Sequence, residues 1–429
     1  MSLFSSVSTA VSGMNAQSEA LSAISDNVAN SQTTGYKRVD TRFESMVSDI
    51  GRRNIAGGVL ARADATNDVQ GGIEQVDNPL AMALSGRGFF SVARPITRAA
   101  DGTITFDPQP TYSRAGDFSL DRNGYLVNGS GDVLQGWALG ANGQINTNQL
   151  QPLQVARAPM PPQPTTSLSV AANLPANGGA GATGSTDVQV YDSLGNLQTL
   201  ALGWTRVGTT NDWTLTVSQP GGAAPLGTFN VSFGANGAPA GTIGALTGGT
   251  VPLTYSPGSP AAATVSVSPT FGGTAQPITL NLGDLGGTNG VTQFSGSTYD
   301  LRNVDRNGAP QGAFASAAIR KDGTVVVNYD NGRSQTVAQV PVVTFTDPDA
   351  LERLSGQAFA VTERAGTPRV TPAGASGSAT IQTGAIERSN VDMAAEFSRM
   401  IIAQRAYSAN TRVVTTSDDL LQDTINLKR

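Results

Sequence analysis

The sequence predicts an α+β, mainly β protein. Paired N- and C-terminal coiled-coil-like helices flank nested, discontinuous antiparallel β domains. Three observations predict this: a heptad pattern at each end, turn dipeptides spaced through the middle, and a composition rich in Gly and Pro but poor in charge. The 429 residues include 50 Gly and 23 Pro, and only 14% are charged, against about a quarter in an average domain. Such a chain builds short strands and frequent turns.

At the N-terminus, Leu3, Val7, Ala10, Met14, Gln17, Leu21, Ile24 and Val28 step alternately by four and three residues. That is an a/d seam, and it predicts a helix over 1–30. Ser, Asn, Gln and Ala fill most other positions, and only Glu19 and Asp26 are charged. Gly13 weakens an isolated helix by about 1 kcal/mol, so this helix needs a partner. The pattern stops at Thr33-Thr34-Gly35.

The C-terminus mirrors it over 393–429, with a seam of Met393, Phe397, Met400, Gln404, Tyr407, Thr411, Val414, Asp418, Leu421 and Ile425. Ser389-Asn390 reads as its N-cap. Asp392 and Glu396 put negative charge in the first turns, and Lys428 and Arg429 put positive charge at the far end, both favoured by the helix dipole.

Between the ends, Asp101-Gly102, Asn123-Gly124, Asn307-Gly308, Asp322-Gly323 and Asn331-Gly332 each suit a tight hairpin with positive φ at its central residues. Thr324–Tyr329 and Thr336–Phe345 read as neighbouring strands. Pro159, Pro161, Pro162 and Pro164 mark a linker. Strands then restart at Ser167–Asn173 and Asp187–Val190, with Trp204 and Trp213 as core residues. This divides the chain into terminal helices (1–30 and 393–429), connecting segments (31–75 and 380–392), a discontinuous β domain (76–164 and 296–379) and an inserted β domain (165–295). The mixture around Asp49-Ile50-Gly51-Arg52-Arg53-Asn54 and Gly57-Gly58 suggests a connection that orders only on assembly.

The composition also narrows function. There is no Cys and no His, so thiolate sites, disulfides and a Ser-His-Asp triad are excluded. Carboxylate-only or Ser-Lys chemistry survives in principle. Gly86-Arg87-Gly88-Phe89-Phe90 lacks the third glycine of a dinucleotide loop. Asp121-Arg122-Asn123-Gly124 opens like a calcium loop but lacks the later Glu, and reads as a turn. No catalytic, cofactor-binding or metal residue is assigned, and no cofactor is expected. A formal charge of −5 leaves no footprint for nucleic acid. No apolar run suggests membrane insertion. The N-terminus lacks a basic region and a long apolar core, so no cleaved signal is expected. The two seams can be a private helical hairpin, or they can hold neighbouring copies. Polar Gln17, Gln404, Thr411 and Asp418, together with small, weakly charged outer faces, favour copies.

Several blocks strongly resemble bacterial flagellar rod and hook axial proteins. They are Ser12-Gly13-Met14, Asn27-Val28-Ala29-Asn30, Thr33-Thr34-Gly35-Tyr36-Lys37-Arg38, Gly86–Val92, Tyr112–Phe118 with Gly124–Val127, Ser389–Asp392 and Met400–Asn410. They cover roughly the first 140 and last 130 residues. The inserted domain, with Val190–Asn196, resembles hook members, and a straight distal rod subunit is the alternative. The resemblance implies a non-enzymatic structural subunit, exported unfolded by the flagellar type III apparatus. It would assemble beneath a cap into an extracellular homopolymer whose terminal helices line an inner tube. That tube would be a flexible universal joint carrying torque, with rod, hook-cap and hook–filament junction proteins as partners. A β-rich adhesin or glycan-processing enzyme carried on 165–295 is a third reading, which nothing in the sequence requires.

Overall fold

The computed structural model describes residues 3–50, 53–98, 104–140, 143–222, 224–249, 252–259, 261–375 and 377–426. Lys428, Arg429 and the Asp101-Gly102 turn lie outside these residues. The chain forms two compact units. The first comprises Met1–Arg157, Ala315–Asn328 and Ser334–Arg429; the second comprises Ala158–Phe314 and Tyr329–Arg333.

Both terminal segments of the first unit are helical, α1 over Leu3–Ala29 and α2 over Met393–Asn426. Asp392, not Ser389-Asn390, caps α2. Its Oδ1 accepts the backbone N–H groups of Ala394 at 2.9 Å and Ala395 at 3.2 Å, satisfying two donors that have no partner inside the helix. Asn390 is drawn away to another task, described below. The helices run antiparallel: Asn27 lies by Glu396, while Gly13 and Met14 lie by Asn410 and Thr411. Among the described residues, no helix is long and apolar enough to cross a membrane.

The expected 31–75 connection contains a long ribbon. Strand β1 (Val39–Ile50) pairs antiparallel with β2 (Arg53–Ala65), with a bulge between Met46 and Val47. Its polar residues misled the sequence reading because they pair across the strands: Arg42 with Asp64 at 3.1 Å and Arg62 with Glu44 at 3.2 Å. The ribbon also packs on α1, where the Val59 N–H donates to Ser12 Oγ at 3.2 Å. Residues 380–392 likewise do more than connect. Thr380–Thr383 pairs with Met82–Ser85, and Ala385–Glu387 pairs with Ile73–Gln75. These short ladders tie the two ends of the chain to one body.

That body is an antiparallel sheet running in order through Thr324–Tyr329, Ser334–Gln339, Val133–Ala138, Phe90–Ala93, Thr111–Ser113 and Ala358–Ala360. Phe89, Tyr112, Val343, Leu351 and Phe359 are buried together against it. The expected strand Thr336–Phe345 is two strands, because Pro341 has no N–H to continue the ladder: Ser334–Gln339 pairs with Thr324–Tyr329, and Pro341–Thr344 pairs with Arg369–Pro372. At the Asn123-Gly124, Asp322-Gly323 and Asn331-Gly332 turns only the glycine takes positive φ, at 83°, 81° and 78°. This is the longer hairpin loop closed by a left-handed glycine rather than a two-residue turn. Asn307-Gly308 is not a hairpin turn. Asn307 Oδ1 instead accepts the N–H groups of Thr166 and Ser167 at 2.9 and 3.0 Å.

The second unit reaches beyond 165–295 on both sides, because Asp300–Arg306 pairs along Ser167–Asn173. It holds a four-stranded sheet and a six-stranded antiparallel sheet over one core that includes Trp204 and Trp213. The all-antiparallel expectation fails at Ser167–Asn173, which runs parallel to Ile278–Asp284 and makes a further parallel bridge from Asn173 to Thr292. The Val190–Asn196 block forms a turn. Asp192 Oδ1 accepts the Leu194 and Asn196 N–H groups at 2.9 and 2.8 Å, and Oδ2 accepts the Asn196 and Gln198 side-chain amides. Desolvation opposes ionisation there, but these donors together hold the carboxyl below the usual carboxylate range.

A folded-state pKa below the unfolded value of about 3.9 stabilises above that pH, and the gain is lost as pH falls through the folded value. Asp192→Asn should therefore lower the urea midpoint of the second unit at pH 7. The gap from wild type should close below about pH 4. Tryptophan fluorescence melts across this range check it.

Candidate functional site

The two chain ends meet the β body at Glu387, which is fully buried. Its Oε1 accepts from Lys37 Nζ at 2.5 Å and from the Gly71 N–H at 2.8 Å, while Oε2 accepts from Arg114 Nη1 at 3.1 Å. Its backbone carbonyl accepts the Gly35 N–H at 2.8 Å. Lys37 also donates to the Val69 carbonyl at 2.6 Å, and Arg114 donates to the Gly86 carbonyl at 2.8 Å and lies over the Phe89 ring at 5.3 Å. All three charged side chains are at most 1% exposed. Burial pushes Lys37 below the ordinary lysine range, and Glu387 pulls against that shift. Arg114 is lowered from the same cause, again opposed by Glu387.

Gly35 makes this junction sterically possible. Its φ is +70°, and a Cβ there would lie 2.4 Å from the Ala115 nitrogen. Only glycine allows the turn and the close approach together.

A second, smaller network joins the helices to the ribbon. Asn27 completes a strand-like pair with Val39, donating to its carbonyl at 2.8 Å and accepting its N–H at 3.0 Å. The same side chain donates to Glu396 Oε2 at 3.4 Å. Arg399 donates to Glu396 at 3.1 Å and to Asp40 at 2.6 Å, and Asp40 in turn accepts from Arg38 at 2.7 Å. Asn390 accepts the Arg38 N–H at 2.6 Å, which is why it does not cap α2. Beside this network lies a cleft of about 510 Å³, with Ala20, Ile24, Phe43, Ile402 and Ala403 among its walls.

The predicted seams are rotated by about one position from the faces that meet. On α1 the buried line is Ala10, Gly13, Ala16, Ala20, Ile24 and Asn27. Ala10 and Ile24 belong to the predicted seam. Val7, Met14, Gln17, Leu21 and Val28 are half-buried, and the Leu3 side chain lies outside the description. On α2 the buried residues are Glu396, Ala403 and Ser417. Met393, Met400, Val414 and Leu421 are half-buried, whereas Phe397, Gln404, Tyr407, Thr411 and Asp418 are exposed. Ile425 lies outside the description. Gln17 lines the cleft, and Gln404 is exposed. Close approach explains the rotation: a Cβ on Gly13 would meet Asn410 Nδ2 at 2.7 Å. Small side chains, rather than the large apolar ones, form the contact. Sequence reasoning missed Lys37, Arg114 and Glu387. No local signal marks them, since Arg38 follows Lys37 and Arg388 follows Glu387, and each reads as an ordinary charged position.

Four family models match the chain: "Flagella basal body rod protein" over 8–37, "Flagellar hook protein FlgE/F/G D1 domain" over 83–173, "Flagellar basal body protein FlaE D2 domain" over 161–309, and "Flagellar basal body rod FlgEFG protein C-terminal" over 382–427. Helical ends locked to a β body, under these matches, define an axial structural protein of the bacterial flagellum. Flagellar hook protein FlgE of Brucella abortus is 32% identical over 436 residues, covering 100% of both chains. That of Rhizobium meliloti is 32% identical over 439 residues with the same coverage, and that of Salmonella typhimurium is 28% identical over 452 residues, covering 99% of this chain and 100% of its own. The crystal structure of Helicobacter pylori flagellar hook protein FlgE2 superposes with a TM-score of 0.48 at 14% identity, covering 72% of this chain and 99% of that one. The chain belongs to the flagellar hook protein FlgE family. It is a structural subunit of the extracellular hook of the flagellum.

Removing the carboxylate strands two buried cations. Glu387→Gln should cost roughly 3–5 kcal/mol in the first unit. Lys37→Met should cost much less, because Glu387 keeps Arg114. Urea unfolding followed by hydrogen exchange in residues 30–75 separates the two. Gly35→Ala should destabilise the first unit by about 1–3 kcal/mol or more through backbone strain, read as a lowered melting temperature.

Proposed function

We propose that the terminal helices are the polymerisation element of the hook, and that their main partners are other copies of this chain. One observation carries the reading. Among the described residues one face of α2 is covered, and its other faces expose Phe397, Ile401, Ile402, Tyr407, Val413 and Leu420, with Ile402 at 67%. A single helix that leaves this much apolar side chain in water has a binding surface. The predicted seam residues exposed on α2, Phe397 and Tyr407 among them, then serve contacts between copies rather than contact with α1.

In this reading the subunit leaves the cell unfolded by the flagellar type III route and adds to a tube between rod, hook cap and hook–filament junction proteins. The tube acts as a universal joint, so contacts away from the helices must slip as it turns. A surface low in charge and rich in Ser, Thr, Asn and Gly suits weak, exchangeable contacts. A distal rod subunit is the lesser reading, because the relatives aligned end to end are hook proteins.

Deleting 393–429 should abolish tube formation while leaving the Trp204/Trp213 core of the second unit cooperative in thermal melts. Electron microscopy of concentrated or seeded samples reads the outcome. Tubes formed by the truncated chain would show that the helices are not the polymerisation element.

A further inference from the structure

The charges on the two helices are sorted by sign. Between Leu3 and Ala29, α1 has two carboxylates, Glu19 and Asp26, and no Lys or Arg. The first twenty residues of α2 carry Arg399, Arg405 and Arg412, and their one carboxylate, Glu396, is buried and taken by Arg399. Glu19, Asp26, Arg405 and Arg412 are all exposed. None of the four forms an ion pair among the described residues.

The spacing is equal on both helices. Glu19 and Asp26 are seven residues apart, and so are Arg405 and Arg412. Each pair therefore lies along one face, about 10.5 Å apart. Each also flanks a heptad line left largely uncovered in the single chain, Ala406 alone being half-buried. On α2 the line is Ile402, Ala406, Ala409 and Val413, and an open groove lined by Arg405, Ser408, Ala409 and Arg412 runs beside it. On α1 the line is Val11, Asn15, Ser18, Ser22, Ser25 and Ala29, all exposed, mostly small and mostly polar. Charges flanking the contact line set partner choice and register in helix pairing. Pairing α2 with α2 would oppose arginines, and pairing α1 with α1 would oppose carboxylates. Only α1 against α2 is complementary.

We infer that the Ile402–Val413 line of one copy receives α1 of a second copy, antiparallel, with Glu19 facing Arg412 and Asp26 facing Arg405. The inference rests on the reading that copies assemble through their ends, and it names the contact. It differs from the contact inside one chain, where Gly13 opposes Asn410. Using one surface on α1 and a different one on α2 makes the contact heterologous, so it propagates into an open helical polymer instead of closing into a dimer.

Charge exchange in the full-length chain tests it. Arg405→Glu with Arg412→Glu, and separately Glu19→Arg with Asp26→Arg, should each raise the critical concentration for tube formation about tenfold at low salt, the scale set by two exposed ion pairs and like-charge repulsion. Added salt should narrow the difference. The fourfold exchange, carrying both changes in one chain, should return the critical concentration close to wild type, and an equal mixture of the two double variants should also form tubes. Circular dichroism melts of each monomer should match wild type, because all four side chains are exposed. Double variants that assemble like wild type, or a fourfold exchange as impaired as either double, would overturn the pairing. Wild-type chains that form no tubes would instead remove the assembly reading, and the pairing with it.

Discussion

A buried carboxylate held by two cations and one backbone N–H group governs the first unit. Glu387 joins a segment that follows α1 (Gly35 and Lys37), a strand-side residue of the body (Arg114) and the strand that leads into α2. A buried charge without a partner is far costlier than a missing apolar contact, so none of these three segments can leave while the others stay. The short ladders of Ile73–Gln75 and Met82–Ser85 with the C-terminal segment are too brief to hold two helices alone. The ion cluster sets their register, and the Asn27 and Asp40–Arg399 bonds then set the direction in which the helices leave the body.

Much of this was legible in the sequence, but unevenly. The existence of both helices and the β character between them follow from heptad spacing and turn chemistry, whereas the antiparallel direction of the helix pair comes from the structure. The face of each helix did not follow, because apolar size was used to place it. Gly13, Ala16, Ala20 and Ala403 form the tight contact while Phe397 and Ile402 stay outside. The usual link between large apolar residues and burial fails on α2. The ribbon β1–β2 was hidden for a different reason. Its stabilising pairs are charged and cross-strand, so neither face shows a clean apolar alternation.

The ion cluster was the least legible feature. Lys37 and Arg114 sit in motifs that single out the family, yet no local property distinguishes them from surface charges. Their meaning depends on a residue roughly 350 positions away in the case of Lys37, and only the closed topology brings the two together. The same holds for Asn390, whose position suits a helix cap until Arg38 claims its side chain. In both cases a long-range partner outcompetes the local role that the sequence suggests.

The position of Glu387 along the chain has a temporal consequence. A polypeptide that emerges from its N-terminus presents Lys37 first and Arg114 next, while their counter-charge arrives only with the last tenth of the sequence. Until then two like charges would have to enter one dry site, which repels closure of the first unit. The second unit draws its core from the nearly continuous stretch Ala158–Phe314 and is under no such restriction. Completion of the chain is thus written into the order of folding: the second unit can mature early, and the helix-bearing end is licensed last.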